Sequence, residues 1–250
     1  MTSRGSLYLR YAVRSESGPV RRENEDAAYA DTQVLALADG MGGHPAAEVA
    51  ASLMVRSFGR GSEVYEGGVV DHLRVATFNG EDAIADYVAK NPEASGMGTA
   101  LTAVRLEGDR LGLLHVGDSR AYLLRSGRLY QLSHDDTFVQ SLVDEGVLSP
   151  DEARVHPQRN VVLRALMGRE TRFSLANFEM QEHDRLLLCS DGISDVLTDE
   201  EIAEGLRDQG TEAAAELLGA AGIAAGCHRQ RNLHRRGRSR LGAASCADYR

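Results

Sequence analysis

Two short apolar runs in the sequence each end in an aspartate followed by a glycine. The first is V-L-A-L-A-D-G-M-G-G-H, residues 34–44, which contains Asp39-Gly40. The glycines of this loop lack the side chains that would keep backbone carbonyls away from a bound ion. A carboxylate beside such carbonyls suits a hard divalent cation such as magnesium, calcium or manganese. An ordinary strand, turn and helix is the alternative, and this stretch alone does not separate the two.

The second run is L-L-L-C-S-D-G-I-S-D, residues 186–195, in which Asp191-Gly192 repeats the arrangement. Two buried strands that each end in Asp-Gly favour a shared cation site over two unrelated turns. Asp118 also follows a glycine at a predicted strand end, in H-V-G-D-S-R. Taken alone, Asp118 is typical of a turn with an Asx-type hydrogen bond.

A charged segment precedes the first Asp-Gly pair. Val20–Asp26 reads V-R-R-E-N-E-D and is too polar for a core. It indicates either a solvated loop or a phosphate clamp beside a metal ligand. Arginine's planar fork matches phosphate oxygens, and Glu25 or Asp26 could offer carboxylate oxygen to a cation.

Alternating and apolar patterns predict the strands and helices that position these residues. Strands are predicted at Leu7–Val13, Ala27–Asp31, Gln33–Asp39, Thr99–Leu106, Arg110–Val116, Ala121–Leu124, Arg128–Leu132, Thr171–Met180 and Asp184–Ser190. Helices are predicted after Pro45, within Val70–Lys90 and within Thr137–Gly146. The polar stretch Ser149–Asn160 indicates either a surface flap over a site or a plain exposed connection.

Composition limits the function further. The chain has 250 residues, 42% hydrophobic and 26% charged, which predicts one globular domain. A net charge of -9 makes cations more natural ligands than nucleic acid. The cysteines Cys189, Cys227 and Cys246 match neither a disulfide framework nor a zinc site, which favours a reducing cytoplasm. No long apolar run or signal-peptide pattern is present, so we expect a soluble chain without a membrane segment.

Six motifs taken in order resemble the bacterial metal-dependent protein phosphatases of type 2C. They are R-x-x-N-E-D, D-G-M-G-G-H, G-T-A-L-T, G-D-S-R-A-Y, H-P-x-R-N and S-D-G-I-S-D. The resemblance extends from about Leu7 to about Ala220. It implies an α+β fold, a four-layer α-β-β-α sandwich of two antiparallel sheets flanked by helices. It also implies hydrolysis of phosphoserine and phosphothreonine in proteins by a metal-activated water.

The resemblance assigns metal ligands residue by residue. Asp39 matches the aspartate that bridges two metal ions, and Gly40 matches the residue that offers its backbone carbonyl. Glu25 matches the acid on one metal, and Asp191 matches a ligand of the other. The implied cofactors are two Mn²⁺ or Mg²⁺ ions.

The remaining assignments concern a third metal, the substrate and the environment. Asp118 and Asp195 match a pair that holds a third, weaker metal in some members. Arg21 matches the arginine that grips the substrate phosphate, and His44 is the candidate general acid. The expected partners are phosphorylated proteins, including a serine/threonine kinase and its substrates. We expect a cytoplasmic monomer that binds neither nucleic acid nor membrane.

The end of the chain departs from this pattern. Members of the family close with a helix and D-N-x-T leading into a final buried strand, and that aspartate is a metal ligand. This chain reads C-H-R-Q-R-N-L-H from Cys227, and a reading frame one nucleotide later permits A-T-D-N-V-T-C-I, which suggests a frameshift near Gly226. The prediction is a catalytic domain over 1–226 without its final strand, and a basic, disordered tail over 227–250. The alternative function is a catalytically weak, phosphatase-like binding or regulatory protein.

Overall fold

The structure, a computed structural model, describes residues 7–15, 24–41, 46–59, 67–207, 210–233 and 244–249. The strands are β1 (Leu9–Arg14), β2 (Asp26–Ala30), β3 (Val34–Met41), β4 (Gly98–Glu107), β5 (Arg110–Val116), β6 (Arg120–Arg125), β7 (Arg128–Gln131), β8 (Ser174–Glu179), β9 (Arg185–Cys189) and β10 (Ala244–Tyr249). The helices are α1 (Ala47–Gly59), α2 (Val69–Lys90), α3 (Phe138–Asp144), α4 (Pro150–Val155), α5 (Asp191–Ser194), α6 (Asp199–Leu206) and α7 (Thr211–Leu233).

The strands form two antiparallel five-stranded sheets. One sheet has the order β1-β10-β9-β6-β7, and the other has the order β2-β3-β4-β5-β8. The chain passes from the second sheet to the first between β5 and β6, through residues 117–119. This crossing is important for the site, because Asp118 lies in it.

Strand β3 is apolar throughout because both of its faces are buried. Val34, Ala36 and Ala38 pack in the core with α1 and α2. Leu35 and Leu37 pack in the core between the two sheets, with residues of β6 and β9. A third core joins the outer face of the other sheet to α5, α6 and α7. The four layers are therefore helices, sheet, sheet and helices, and the predicted fold class is confirmed.

Most predicted elements are present, with shifted ends. The strand predicted over Thr171–Met180 is shorter in the structure, where β8 covers Ser174–Glu179. The polar stretch Ser149–Asn160 contains the short helix α4. Helix α4 begins with a capping box, since Ser149 and Glu152 each bond the other's backbone N–H. Among the described residues, no helix combines the length and apolar character needed to cross a membrane.

The end of the chain differs from the prediction. Helix α7 continues past residue 226 to Leu233, and β10 lies between β1 and β9 in antiparallel register. The sequence predicts disorder and no final strand over this region, whereas the described residues of the tail form the end of α7 and β10. The pattern missed β10 because A-S-C-A-D-Y contains few large apolar residues, whereas strand pairing needs only backbone N–H and C=O groups.

We predict that Ala247→Pro destabilises the protein, because proline removes an N–H from a strand paired on both sides. A lost ladder bond that leaves a buried partner costs about 1–3 kcal/mol. At about 2–4 °C per kcal/mol, the melting temperature should fall by roughly 2–12 °C. Ser245→Ala in the same strand keeps its N–H and serves as the control. Equal melting temperatures for the two variants in thermal unfolding would contradict the position of β10.

Candidate functional site

The candidate site lies at one end of the layer between the sheets. Asp39 lies near the end of β3, Asp191 begins α5 one residue after β9, and Asp118 lies in the crossing between β5 and β6. Each residue lies at or just beyond the end of a buried strand, so the two sheets bring these carboxylates to the same end of the sandwich. Asp39 and Asp191, one from each predicted Asp-Gly pair, line the same cavity.

Asp39 and Asp26 form the centre of the acidic group. They are direct cross-strand partners in the β2–β3 pairing, and the Ser190 hydroxyl donates to Asp26 Oδ2 at 3.2 Å across the gap between the sheets. Asp39 is only 7% exposed. Burial raises the pKa of Asp39 well above its ordinary value, and the charges of Asp26, Asp191 and Asp118 raise it further. A bound cation would remove this repulsion.

Gly40 is required by its close backbone surroundings. A Cβ at this position would lie 2.4 Å from the Ala47 carbonyl oxygen and 2.8 Å from the Glu25 carbonyl oxygen. The Gly40 N–H donates to the Glu25 carbonyl at 3.0 Å. Gly40 therefore lets the start of α1 pack closely beside the strand that carries Asp39.

The turn that carries Asp118 is held by buried polar groups. Gly117 has φ of +104°, and a Cβ there would lie 2.4 Å from Ala100 Cβ. The His115 ring lies with Nε2 3.1 Å from the Gly117 carbonyl oxygen. Burial, together with the charges of Asp135 and Asp195, raises the pKa of Asp118 to about 6. A nearby cation would therefore stabilise the ionised carboxylate of Asp118, as it would that of Asp39.

A cavity of about 350 Å³ opens between these carboxylates and the chain opposite. Asp39, Asp118 and Asp191 line one side. Val162, Ala165 and Met167 are among the residues that line the rest. In the part of the chain that the structure describes, no group of three or more acidic, histidine or cysteine side chains is arranged to hold a metal ion. The donor set still fits a hard divalent cation, because Asp39, Asp118 and Asp191 offer carboxylate oxygens to one cavity.

A second cavity, of about 180 Å³, adjoins the first and shares Asp118 and Asn160 with it. Asp195 lines this second cavity, and its carboxylate lies 3.8 Å from Arg159 Nε. The predicted flap residues Ala153 and Arg154 also line it. The structure thus places Asp195 beside Asp118 but in the adjoining cavity, away from Asp39.

Three predicted site residues need separate comment. Arg21 and His44 lie outside the described residues. Glu25 bonds Gly40 through its backbone carbonyl, and its predicted side-chain role stays a prediction. The sequence offers both Glu25 and Asp26 as carboxylate donors, and the family resemblance assigns Glu25. Side chains alternate along a strand, so Asp26 shares the face of Ala28, which packs between the sheets. That alternation was the available signal for Asp26.

Cys189 ends β9 close to the site but is a core residue. It is completely buried, and burial raises the pKa of its thiol to about 12. A thiolate nucleophile at this position is therefore disfavoured.

Comparison with known sequences gives a consistent result. Residues 22–224 match the family described as Protein phosphatase 2C. The serine/threonine protein phosphatase PstP of Mycobacterium tuberculosis is 51% identical over 206 residues, which is 82% of this chain and 40% of PstP. The serine/threonine phosphatase stp of Listeria monocytogenes is 33% identical over 213 residues, covering 79% of this chain and 83% of stp. The chain thus spans less than half the length of PstP but most of stp.

Solved structures show the same likeness. The crystal structure of M. tuberculosis PstP/Ppp superposes with a TM-score of 0.88 at 44% identity, covering 96% of this chain and 98% of that one. The catalytic domain of PstP in complex with two manganese ions superposes with a TM-score of 0.87 at 42% identity, covering 98% and 99%.

We predict opposite effects of Asp39→Asn on stability without and with metal. In excess chelator the variant should melt higher than the parent at neutral pH, because asparagine removes a buried acid surrounded by other carboxylates. Each kcal/mol of relieved repulsion raises the melting temperature by about 2–4 °C. In Mn²⁺ the variant should gain less stability than the parent, since it lacks one ligand. Asp86→Asn, on the exposed face of α2, is the control. A variant that melts below the parent in chelator would contradict the repulsion.

Proposed function

The chain belongs to the protein phosphatase 2C family, and from this premise we propose that it hydrolyses phosphoserine and phosphothreonine in proteins. The observation that carries the proposal is the cavity lined by Asp39, Asp118 and Asp191, where burial and neighbouring acids raise the pKa of both Asp39 and Asp118. An oxygen-rich, negatively charged cavity of this kind favours divalent cations over an anionic substrate alone. It therefore supports a reaction that depends on metal.

The proposed cofactors are two Mn²⁺ or Mg²⁺ ions, with a third held more weakly, and PstP has been seen with two manganese ions. When bound, such ions lower the pKa of an attacking water toward neutrality. Asp39, Asp191, Glu25 and the Gly40 carbonyl would hold the first two. Asp118 and Asp195 would hold the third.

The chain's own residues would carry the remaining steps. Arg21 would bind the phosphate and offset the negative charge that the carboxylates present to it. His44 would donate a proton to the leaving serine or threonine oxygen. The cavity's apolar residues, Val162 and Ala165, would limit the access of bulk water to the reacting phosphorus. On this proposal the chain acts in cytoplasmic signalling as a monomer, on phosphorylated proteins that include a kinase and its substrates.

A second candidate function is a catalytically weak, phosphatase-like binding protein. It is favoured by the end of the chain, where Asp248 is the sole acidic residue after Gly226. The register of β10 places Asp248 opposite Arg185, whereas Ala244 lies opposite Cys189 at the end of β9 that leads to Asp191. Asp248 is thus placed at the wrong end of the strand to supply the family's last metal ligand.

We expect Mn²⁺-dependent hydrolysis of p-nitrophenyl phosphate and of a phosphothreonine peptide, suppressed by excess chelator. Asp39→Asn should lower kcat by more than the roughly 10–100-fold typical of groups outside the metal's immediate ligands. Asp86→Asn should match the parent. Activity undiminished by chelator would contradict the metal mechanism. Tight binding of the phosphopeptide without turnover would favour the second candidate.

Arg21→Ala should mainly raise KM, because a group that binds phosphate in both the ground and transition states contributes uniform binding. Loss of a charged hydrogen bond costs about 1.5–3 kcal/mol, so KM should rise roughly tenfold to a hundredfold. Steady-state kinetics of Arg22→Ala provide the control. If KM rises in Arg22→Ala and stays at the parental value in Arg21→Ala, the assignment belongs to Arg22.

A further inference from the structure

The two sides of the active-site cavity belong to distant parts of the chain. Asp118 lies on one side, and the other side includes residues 162–167, here called the wall segment. The separation of the two sides limits the size of the substrate that fits between them. The position of the Asp118 backbone sets where its carboxylate lies in the cavity. Some part of the structure must therefore hold Asp118 and the wall segment in a fixed relation.

Asp136 binds the turn that carries Asp118. Its carboxylate Oδ2 accepts the Gly117 N–H at 3.1 Å, and its own N–H donates to the Gly117 carbonyl at 2.7 Å. Asp136 is only 3% exposed. Since Gly117 is fixed by its positive φ and by contact with Ala100, these reciprocal bonds leave the Asp118 backbone little freedom.

Asp136 also binds the wall segment. Its carbonyl accepts the Leu163 N–H at 2.7 Å, and its carboxylate Oδ1 lies 2.5 Å from Arg164 Nη2. The next residue, Thr137, forms an isolated bridge with Val162. One buried carboxylate thus bonds the Asp118 turn with one oxygen and the wall segment with the other.

The far end of the wall segment returns to the acidic centre. Leu166 and Thr99 exchange two backbone hydrogen bonds of 2.9 Å. The Thr99 hydroxyl donates to the Asp39 carbonyl at 2.9 Å. The wall segment is therefore tied at one end to Asp118 through Asp136, and at the other end to Asp39 through Thr99.

We propose that Asp136 is a positioning residue that couples the Asp118 carboxylate to the wall segment, so that metal binding and substrate fit depend on one buried side chain. The inference rests on the proposed function, since it concerns the same cavity. Asp136 touches neither metal nor substrate; it acts through Gly117 and Arg164.

The chain offers a matched control in Asp184. This carboxylate is 2% exposed, accepts the Gln181 N–H at 2.7 Å and pairs with Arg125 at 2.5 Å, so it repeats the bonding of Asp136. It lies before β9, at the end of that strand opposite to Asp191. A purely structural role predicts the same consequences for the loss of either carboxylate.

The test compares Asp136→Ala and Asp136→Asn with Asp184→Ala and Asp184→Asn, at a temperature where every variant is folded. The first measurement is the rise in melting temperature during titration with Mn²⁺ alone. The second is the Mn²⁺ concentration for half-maximal hydrolysis of p-nitrophenyl phosphate. We expect Asp136→Ala to weaken apparent Mn²⁺ affinity by about 10–100-fold in both measurements, as for loss of a partner outside the metal's immediate ligands. Asp136→Asn, which keeps an acceptor for Gly117, should lose less.

Arg164→Ala separates the two connections. It removes the ion pair but leaves the Gly117 bonds, so it should raise KM for a phosphopeptide more than for p-nitrophenyl phosphate while Mn²⁺ affinity stays near the parental value. The proposal is overturned if the Asp136 variants lose stability like the Asp184 variants and keep parental Mn²⁺ affinity. A parent that binds Mn²⁺ without turnover would contradict the proposed function alone, and the melting-temperature titration would still decide the role of Asp136.

Discussion

Several carboxylates are held near one another at one end of the sandwich, and the surrounding structure must offset their mutual repulsion. The pKa of Asp39 is raised by burial and by the charges of Asp26, Asp191 and Asp118. Two like charges about 4 Å apart near a protein surface repel by roughly 4 kcal/mol. Because a whole domain is stable by only about 5–15 kcal/mol, such a group needs protons or a cation to offset its charge. Such a site favours metal binding, because the ionised carboxylates repel one another when no cation is bound.

Backbone geometry holds the acids in place despite that repulsion. The buried β2–β3 pairing fixes Asp26 opposite Asp39, and the Thr99 hydroxyl bonds the Asp39 carbonyl. Gly40 admits the start of α1, and Gly117 gives the sheet crossing a backbone conformation that other residues disfavour. The two glycines act by what they lack, since a Cβ at either position would collide with neighbouring atoms.

The first sheet completes the arrangement, because Asp191 reaches the site only if β9 is correctly placed. In the described part of the chain, β9 lies between β10 and β6. β10 lies between β1 and β9 and is formed by a segment with little apolar character, so its place in the sheet depends mainly on backbone pairing. It restores the hydrogen bonding of β9 without placing an acidic residue beside Asp191.

The sequence was enough to predict strands β1 to β9 and helices α1 to α3, together with the acidic residues at several strand ends. Period-two alternation and apolar runs identified β2 to β9 because strands buried on one or both faces must carry those patterns. The two Asp-Gly pairs favoured a shared cation site because they occur together, whereas one such pair alone is equally typical of an ordinary strand, turn and helix. Tertiary structure alone decided three further features. Asp26 lies opposite Asp39, because the faces of β2 are assigned only when the second sheet packs against it. β10 forms because β1 and β9 both offer backbone hydrogen-bonding groups to it. The position of those two strands cannot be predicted from the local sequence of β10. Asp136 joins Asp118 to the wall segment because hydrogen bonds between residues distant in sequence depend on the folded positions of both, which no spacing along the chain can specify.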